Sequence, residues 1–284
     1  MSKVAIITDS TAYIPDALVK EYSINVVPQV LIWGEETFRD GVDIMPDEFY
    51  KRLKTAKVMP TTSQVSIMDV KIAFEKLLES GYDVLGIFIS SKLSGTIHSA
   101  TQAREMLPKA ASKISIVDSN STAMAMGFHV LTAARAARGG ASLVECQKLA
   151  ELAREHTGVY FVVDTLEFLR RGGRIGGAQA LLGSALNIKP ILELRDGRIE
   201  SIEKVRTKGK AIDRMIDLVA QRVAGRTPVR LATLHANAEK EAQTALNLAC
   251  LQLQPIESVF ASVSPVIGTH AGPGTVGLAF MAGM

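Results

Sequence analysis

At 284 residues the chain is long for one compact core, and 47% apolar residues is ample for burial, so a disordered chain is excluded and two domains are expected. Only 5% of residues are aromatic, and 32 basic residues stand against 29 acidic ones for a net charge of +3. That leaves neither a stacking platform nor a concentrated basic face, and no nucleic-acid partner is expected.

The N-terminus, Met1-Ser2-Lys3-Val4, runs at once into a strand-like segment, which reads as a cytoplasmic protein without a signal peptide. Val4 to Thr8 is apolar and ends in Asp9-Ser10-Thr11, and Pro15 opens a helix to about Tyr22. Tyr82 to Ile89 reads as a buried strand, followed by Ser90 to Thr96 and a helix to about Met106. Ile114 to Val117 is a third strand, closed by Asp118-Ser119-Asn120-Ser121-Thr122, with a helix from about Ala123 to Arg138. A helix from Leu143 to Glu155, holding Cys146, leads into a strand at Val159 to Val163. Strands and helices alternating at these lengths predict a parallel sheet with helices on both faces, over residues 1–163. Such sheets bind ligands at the carboxyl ends of their strands.

From about Asp164 the pattern changes. Arg171 to Gly177 is a glycine-rich loop, and a helical run follows over Ala178 to Leu186. Pro190 to Leu194 and Arg198 to Val205 flank Asp196-Gly197, a hairpin signal. Then come a helix near Lys210 to Val223, a strand at Val229 to His235, a helix at Ala238 to Leu253 that holds Cys250, and strands at Ile256 to Val263 and Val276 to Phe280. Residues 164–284 are therefore expected to form a second α/β domain, a mixed sheet with helices. The two cysteines form no disulfide framework and suit a reducing compartment as small buried hydrophobes. No stretch approaches the ~20 apolar residues of a spanning helix.

Common catalytic motifs are missing. Gly272-Pro273-Gly274-Thr275-Val276-Gly277 matches G-x-G-x-x-G, but only seven residues follow it, too few for a dinucleotide-binding unit. There is no P-loop, no G-x-S-x-G elbow and no H-E-x-x-H helix. His98, His129, His156, His235 and His270 share no metal-ligand spacing, so neither a metal nor a cofactor is expected.

Three polar segments remain. In Pro60-Thr61-Thr62-Ser63-Gln64, Thr62 or Ser63 stands where a helix Ile67 to Leu78 would take its N-cap. Ser94 precedes a helix start in the same way, and there a capping serine and an anion-binding serine occupy one place. Arg174 lies among glycines, where it is either a bidentate carboxylate ligand or a solvated hinge residue. His270 sits in a constrained turn, Thr269 to Gly274, where on its own it reads as a satisfied structural histidine. Lys204, Arg206, Lys208 and Lys210 form the densest basic stretch, read as a solvated strand end and helix start.

Ile7-Thr8-Asp9-Ser10-Thr11, Thr62-Ser63-Gln64, Ser91 to Thr96, Val117-Asp118-Ser119, Gly173-Arg174-Ile175 and Gly268 to Gly274, in this order, resemble the DegV family over essentially the whole chain. The family's usual proline after T-S-Q is Val65 here. The resemblance implies a two-domain α/β fold that binds a long-chain fatty acid in an apolar interdomain tunnel. It implies a non-catalytic protein that presents the carboxylate to a separate dihydroxyacetone-kinase-like fatty acid kinase subunit, with transient membrane contact. Carried over by position, Thr62 and Ser94 would hydrogen-bond the carboxylate, and Arg174 and His270 would support its charge. Arg206 is the partner-docking candidate. Phe74 to Leu78 and Ala178 to Leu186 are candidate tunnel walls, with plain core packing as the other reading. The competing function is an enzyme acting on a small phosphorylated or carboxylated metabolite through Asp9 and Asp118, whose plainer reading is as loop-capping residues. A pure regulatory or interaction module finds little support in the modest charge and the lack of a repeat surface.

Overall fold

A computed structural model describes residues 3–182 and 188–284. The chain begins with β1 (Lys3–Asp9), α1 (Asp16–Glu21) and β2 (Asn25–Val27), then β3 (Val30–Trp33), β4 (Glu36–Arg39), α2 (Pro46–Leu53) and β5 (Thr61–Ser63). It continues with α3 (Ile67–Glu79), β6 (Tyr82–Phe88), α4 (Thr96–Glu105), β7 (Ile114–Asp118), α5 (Ala123–Arg138) and α6 (Leu143–His156). Strands β2-β1-β6-β7 form a four-stranded sheet, parallel throughout. The apolar runs of β1 and β6 are buried because helices cover both faces, α3 and α4 on one side and α5 and α6 on the other. Ser66 caps α3 by accepting from Asp69 N, and Ser142 and Glu145 close a capping box at α6.

The second half contains β8 (Thr157–Val162), α7 (Glu167–Arg171), β9 (Lys189–Arg195), β10 (Arg198–Val205), α8 (Lys208–Val223) and β11 (Val229–His235). It ends with α9 (Glu239–Leu253), β12 (Glu257–Ser262), α10 (Pro265–Ala271) and β13 (Val276–Ala282). A six-stranded mixed sheet runs β10-β9-β8-β13-β11-β12, with β11 and β12 parallel and the other pairs antiparallel. Asp196 and Gly197 hold φ of 49° and 78°, as a two-residue hairpin turn requires. Helices α8 and α9 cover the outer face, and α5 packs against the inner one.

Helix α5 therefore lies between two sheets, which explains why Ala123 to Leu131 are buried on every side of it. One apolar core runs from Ile6 and Leu85 of the first sheet through Met124 and Phe128 to Phe161 and Leu234 of the second. The fold is α/β, a parallel sheet and a mixed sheet with helices around both.

Several segments differ from the sequence reading. β8, which a division after residue 163 assigns to the N-terminal unit, hydrogen-bonds to β9 and β13 of the second sheet. A small antiparallel sheet, β4-β3-β5, was not anticipated; its strands have four, four and three residues, too short to show alternation. The expected turn around His270 is the end of helix α10. Of the helical run expected over Ala178 to Leu186, the first four residues belong to a 3₁₀ turn at Gly176–Leu181, and residues 183–186 lie outside the described residues.

Candidate ligand-binding site

Above the carboxyl ends of the parallel strands, the first sheet, the start of α5 and the inner face of the second sheet leave a space between them. It is an apolar chamber with an empty volume of about 840 Å³, mouth included. Val159 and Phe161 of β8, Leu194 and Ile199 of the β9–β10 hairpin, Leu234 of β11 and Val266 of α10 supply its walls. The expected walls at Phe74 to Leu78 are not there: Phe74 and Leu77 pack with Val70, Val84 and Ala100 in the core between the first sheet and α3–α4. Ala178 belongs to the central core and does not line the chamber.

One wall of the chamber is polar, and all four anticipated residues stand on it: Thr62, Ser94, Arg174 and His270. Thr62 sits in β5 opposite Leu31 of β3, so it is a strand residue and not a helix cap; α3 takes Ser66 instead. Its Oγ1 lies 2.7 Å from His270 Nε2. Ser94 is likewise not a cap, since the N-cap of α4 is Gly95; Ser94 Oγ lies 3.0 Å from Thr96 Oγ1. Gly95 lets the β5 end close on this loop, because a Cβ there would stand 2.7 Å from the Gln64 amide.

Arg174 is anchored by backbone, its Nε donating to Leu93 O at 3.0 Å and its Nη1 to Gly172 O at 2.6 Å. Three of its five N–H groups stay unspent on those contacts. Among the described residues it has no carboxylate partner. The His270 ring packs on Gly172, where any Cβ would overlap it, and its Nδ1 has no hydrogen-bond partner among the described residues. Burial, with the Arg174 charge adding to it, pushes the imidazole down to about 4, so it is neutral near pH 7. The wall thus carries one cation, a neutral imidazole and hydroxyl groups.

A second, outer pocket of about 680 Å³ lies against the same wall, lined by Pro60, Phe168, Arg171 and Thr269. Thr62, Arg174 and His270 line both spaces, so they form the partition between chamber and surface.

Asp9 and Asp118 do not line the chamber. Asp9 accepts from Thr11 N at 2.9 Å, Thr11 Oγ1 at 2.6 Å and Ile89 N at 2.9 Å; Asp118 accepts from Ser91 N at 3.2 Å and Asn120 N at 2.8 Å. Both stitch loops at the strand ends, which is their capping reading. Gln29 and Thr122, which sequence reasoning passed over, do line it. The signal for Gln29 was a single polar residue between the apolar runs Val26-Val27 and Val30-Leu31-Ile32. Among the described residues no group of three His, Cys, Asp or Glu residues is placed to hold a metal, and no helix is long and apolar enough to cross a membrane.

A family model described as "Uncharacterised protein, DegV family" matches residues 3–283. A DegV domain-containing protein of Streptomyces coelicolor is 39% identical over 277 residues, 97% of each chain. A structure described as fatty acid binding of a DegV family protein from Thermus thermophilus superposes with a TM-score of 0.93 at 33% identity, covering 99% of both chains. DegV of Bacillus subtilis, described as a fatty acid binding protein, superposes with a TM-score of 0.89 at 35% identity, over 99% of this chain and 100% of that one.

Proposed function

Because the chain belongs to the DegV family, we propose that it binds one long-chain fatty acid in the chamber and presents its carboxylate to a separate kinase subunit of the dihydroxyacetone-kinase type. The observation that carries this reading is Arg174, a half-buried guanidinium without a carboxylate partner among the described residues, at the polar wall of an otherwise apolar space. A carboxylate completes that arrangement. With its Nε2 protonated, His270 donates to Thr62 Oγ1 and leaves the Thr62 hydrogen for the ligand. Thr96 donating to Ser94 frees the Ser94 hydrogen in the same way. Arg174 adds its remaining N–H groups and the compensating charge.

The tail supplies most of the affinity. At roughly 0.8 kcal/mol per buried CH₂, about fifteen methylenes gain on the order of 12 kcal/mol, against several kcal/mol for association and ordering. The carboxylate, set in the partition, is reachable from the outer pocket while the tail stays inside. The exposed Arg206, after β10, is the proposed docking contact for the kinase.

Native mass spectrometry of the protein as purified tests the binding. One acyl chain per monomer is expected. A clean ligand-free mass, with no fatty acid taken up on addition, would overturn the reading.

A further inference from the structure

Gln29 and Thr122 line the chamber, and Gln29 Nε2 and Thr122 Oγ1 have no hydrogen-bond partner among the described residues. Gln29 is 2% exposed, yet its Nε2 has no partner among the described residues. Its backbone is fixed: the N–H donates to Ser10 Oγ at 3.1 Å, and the carbonyl accepts from Asp40 N at 2.9 Å. The amide lies near enough to Asp9 to favour that carboxylate's charged form, but the approach falls short of a hydrogen bond. A primary amide carries two N–H groups, so even this approach leaves one unspent. Thr122 occupies the N-cap position of α5, where its hydroxyl caps nothing and meets no other partner among the described residues. Thr275, a third polar residue of the same lining, behaves differently: its Oγ1 reaches the carbonyls of Ala271 and Gly272, each at 2.9 Å.

A plain alkyl chain against Gln29 and Thr122 would leave both polar groups unsatisfied in a dry space, which is costly, whereas apolar residues of the same shape would cost nothing. Ile89, Ala123, Phe161 and Val263 of the same lining show that the sequence can supply such residues. Gln29 is also set apart from the carboxylate site. It lies two residues before Leu31, the partner of Thr62, roughly 7 Å along the strand direction.

We propose that Gln29 reads an oxygen, hydroxyl or keto, carried part-way along the acyl chain, with Thr122 as a second polar group of the lining, so that the ligand class is oxygenated long-chain fatty acids. This rests on the fatty-acid reading above and narrows it. A site built to hydrogen-bond a ligand oxygen discriminates against the analogue that lacks it.

The test is competition binding on delipidated protein, displacing a fluorescent fatty acid with stearic acid and with hydroxystearic acids whose hydroxyl is stepped along the chain. At least one positional isomer should bind about tenfold more tightly than stearic acid. Gln29→Leu should reverse the order, losing the preference and binding stearic acid more tightly than the wild type does. Thr122→Val is the second variant, and far-UV circular dichroism checks that each is folded. The inference is overturned if stearic acid binds the wild type as tightly as every isomer, or if the preference survives in folded Gln29→Leu. If no acid of either kind binds, the fatty-acid reading itself fails and this one falls with it.

Discussion

The availability of the Arg174 guanidinium follows from what holds it. Two backbone carbonyls, those of Leu93 and Gly172, fix the guanidinium from behind without neutralising it. Beside it His270 is kept neutral by burial and by the arginine's own charge, so among the described residues that line the chamber Arg174 carries the one positive charge. A lysine has no rigid fork. Its ammonium cannot keep both carbonyl anchors and still offer a planar pair of N–H groups to a carboxylate. Arg174→Lys should therefore lower fatty-acid affinity about tenfold at neutral pH without abolishing binding, because the tail term is untouched. Displacement titration of delipidated protein measures it, and equal affinities for variant and wild type would remove Arg174 from the site.

Helix α10 carries His270, and at seven residues it is too short to be stable alone. Pro265 suits its first turn, and Asp40 anchors its start from another part of the chain. Asp40 Oδ2 accepts from the Ser10 and Ser264 hydroxyls, each at 2.7 Å, and its Oδ1 accepts from Val266 N at 3.2 Å. Burial nevertheless pushes this carboxyl up to about 6, well above its ordinary value. A group whose folded value is raised favours the fold when protonated. Its contribution is present below pH ~4 and is lost as pH rises through about 6. Asp40→Asn removes that loss. Relative to wild type, the variant should gain up to about 3 kcal/mol of stability between pH 4 and pH 8. Denaturant unfolding at the two pH values checks it, and the difference between the proteins is the quantity to compare. His129, pushed down to about 3 chiefly by burial, acts in the other direction in both proteins, costing stability as pH falls below its unfolded value. A pH-independent difference would show that Asp40 stays charged in the fold.

Across the whole molecule, legibility followed burial pattern and length. β1, β6 and β11 are apolar runs bounded by polar turns, and Asp196-Gly197 announces its hairpin. The β3–β5 sheet and α10 are short elements stabilised by packing across the fold, so local pattern did not show them, and with them went the true settings of Thr62 and His270. The polar wall draws on four segments far apart in sequence, and only the resemblance joined them. The chamber walls were illegible for another reason: Phe161 facing a cavity and Phe74 filling a core are the same chemistry until the backbone is placed. Presentation to a partner is likewise a property of the assembled molecule. Thr62, Arg174 and His270 line both the chamber and an outer pocket, so under the proposed function the tail would lie inside and a kinase would reach the carboxylate by docking on the surface around that pocket. Arg206 lies exposed between β10 and α8, outside both pockets, and a rim charge of this kind acts on encounter more than on the bound state. Arg206→Glu should cut kinase-dependent acyl phosphate formation about tenfold at low salt, with the deficit shrinking as ionic strength rises. The fatty acid retained on purification should not change, which separates docking from binding. Phosphorylation at the wild-type rate at every salt concentration would clear Arg206 of any part in the contact.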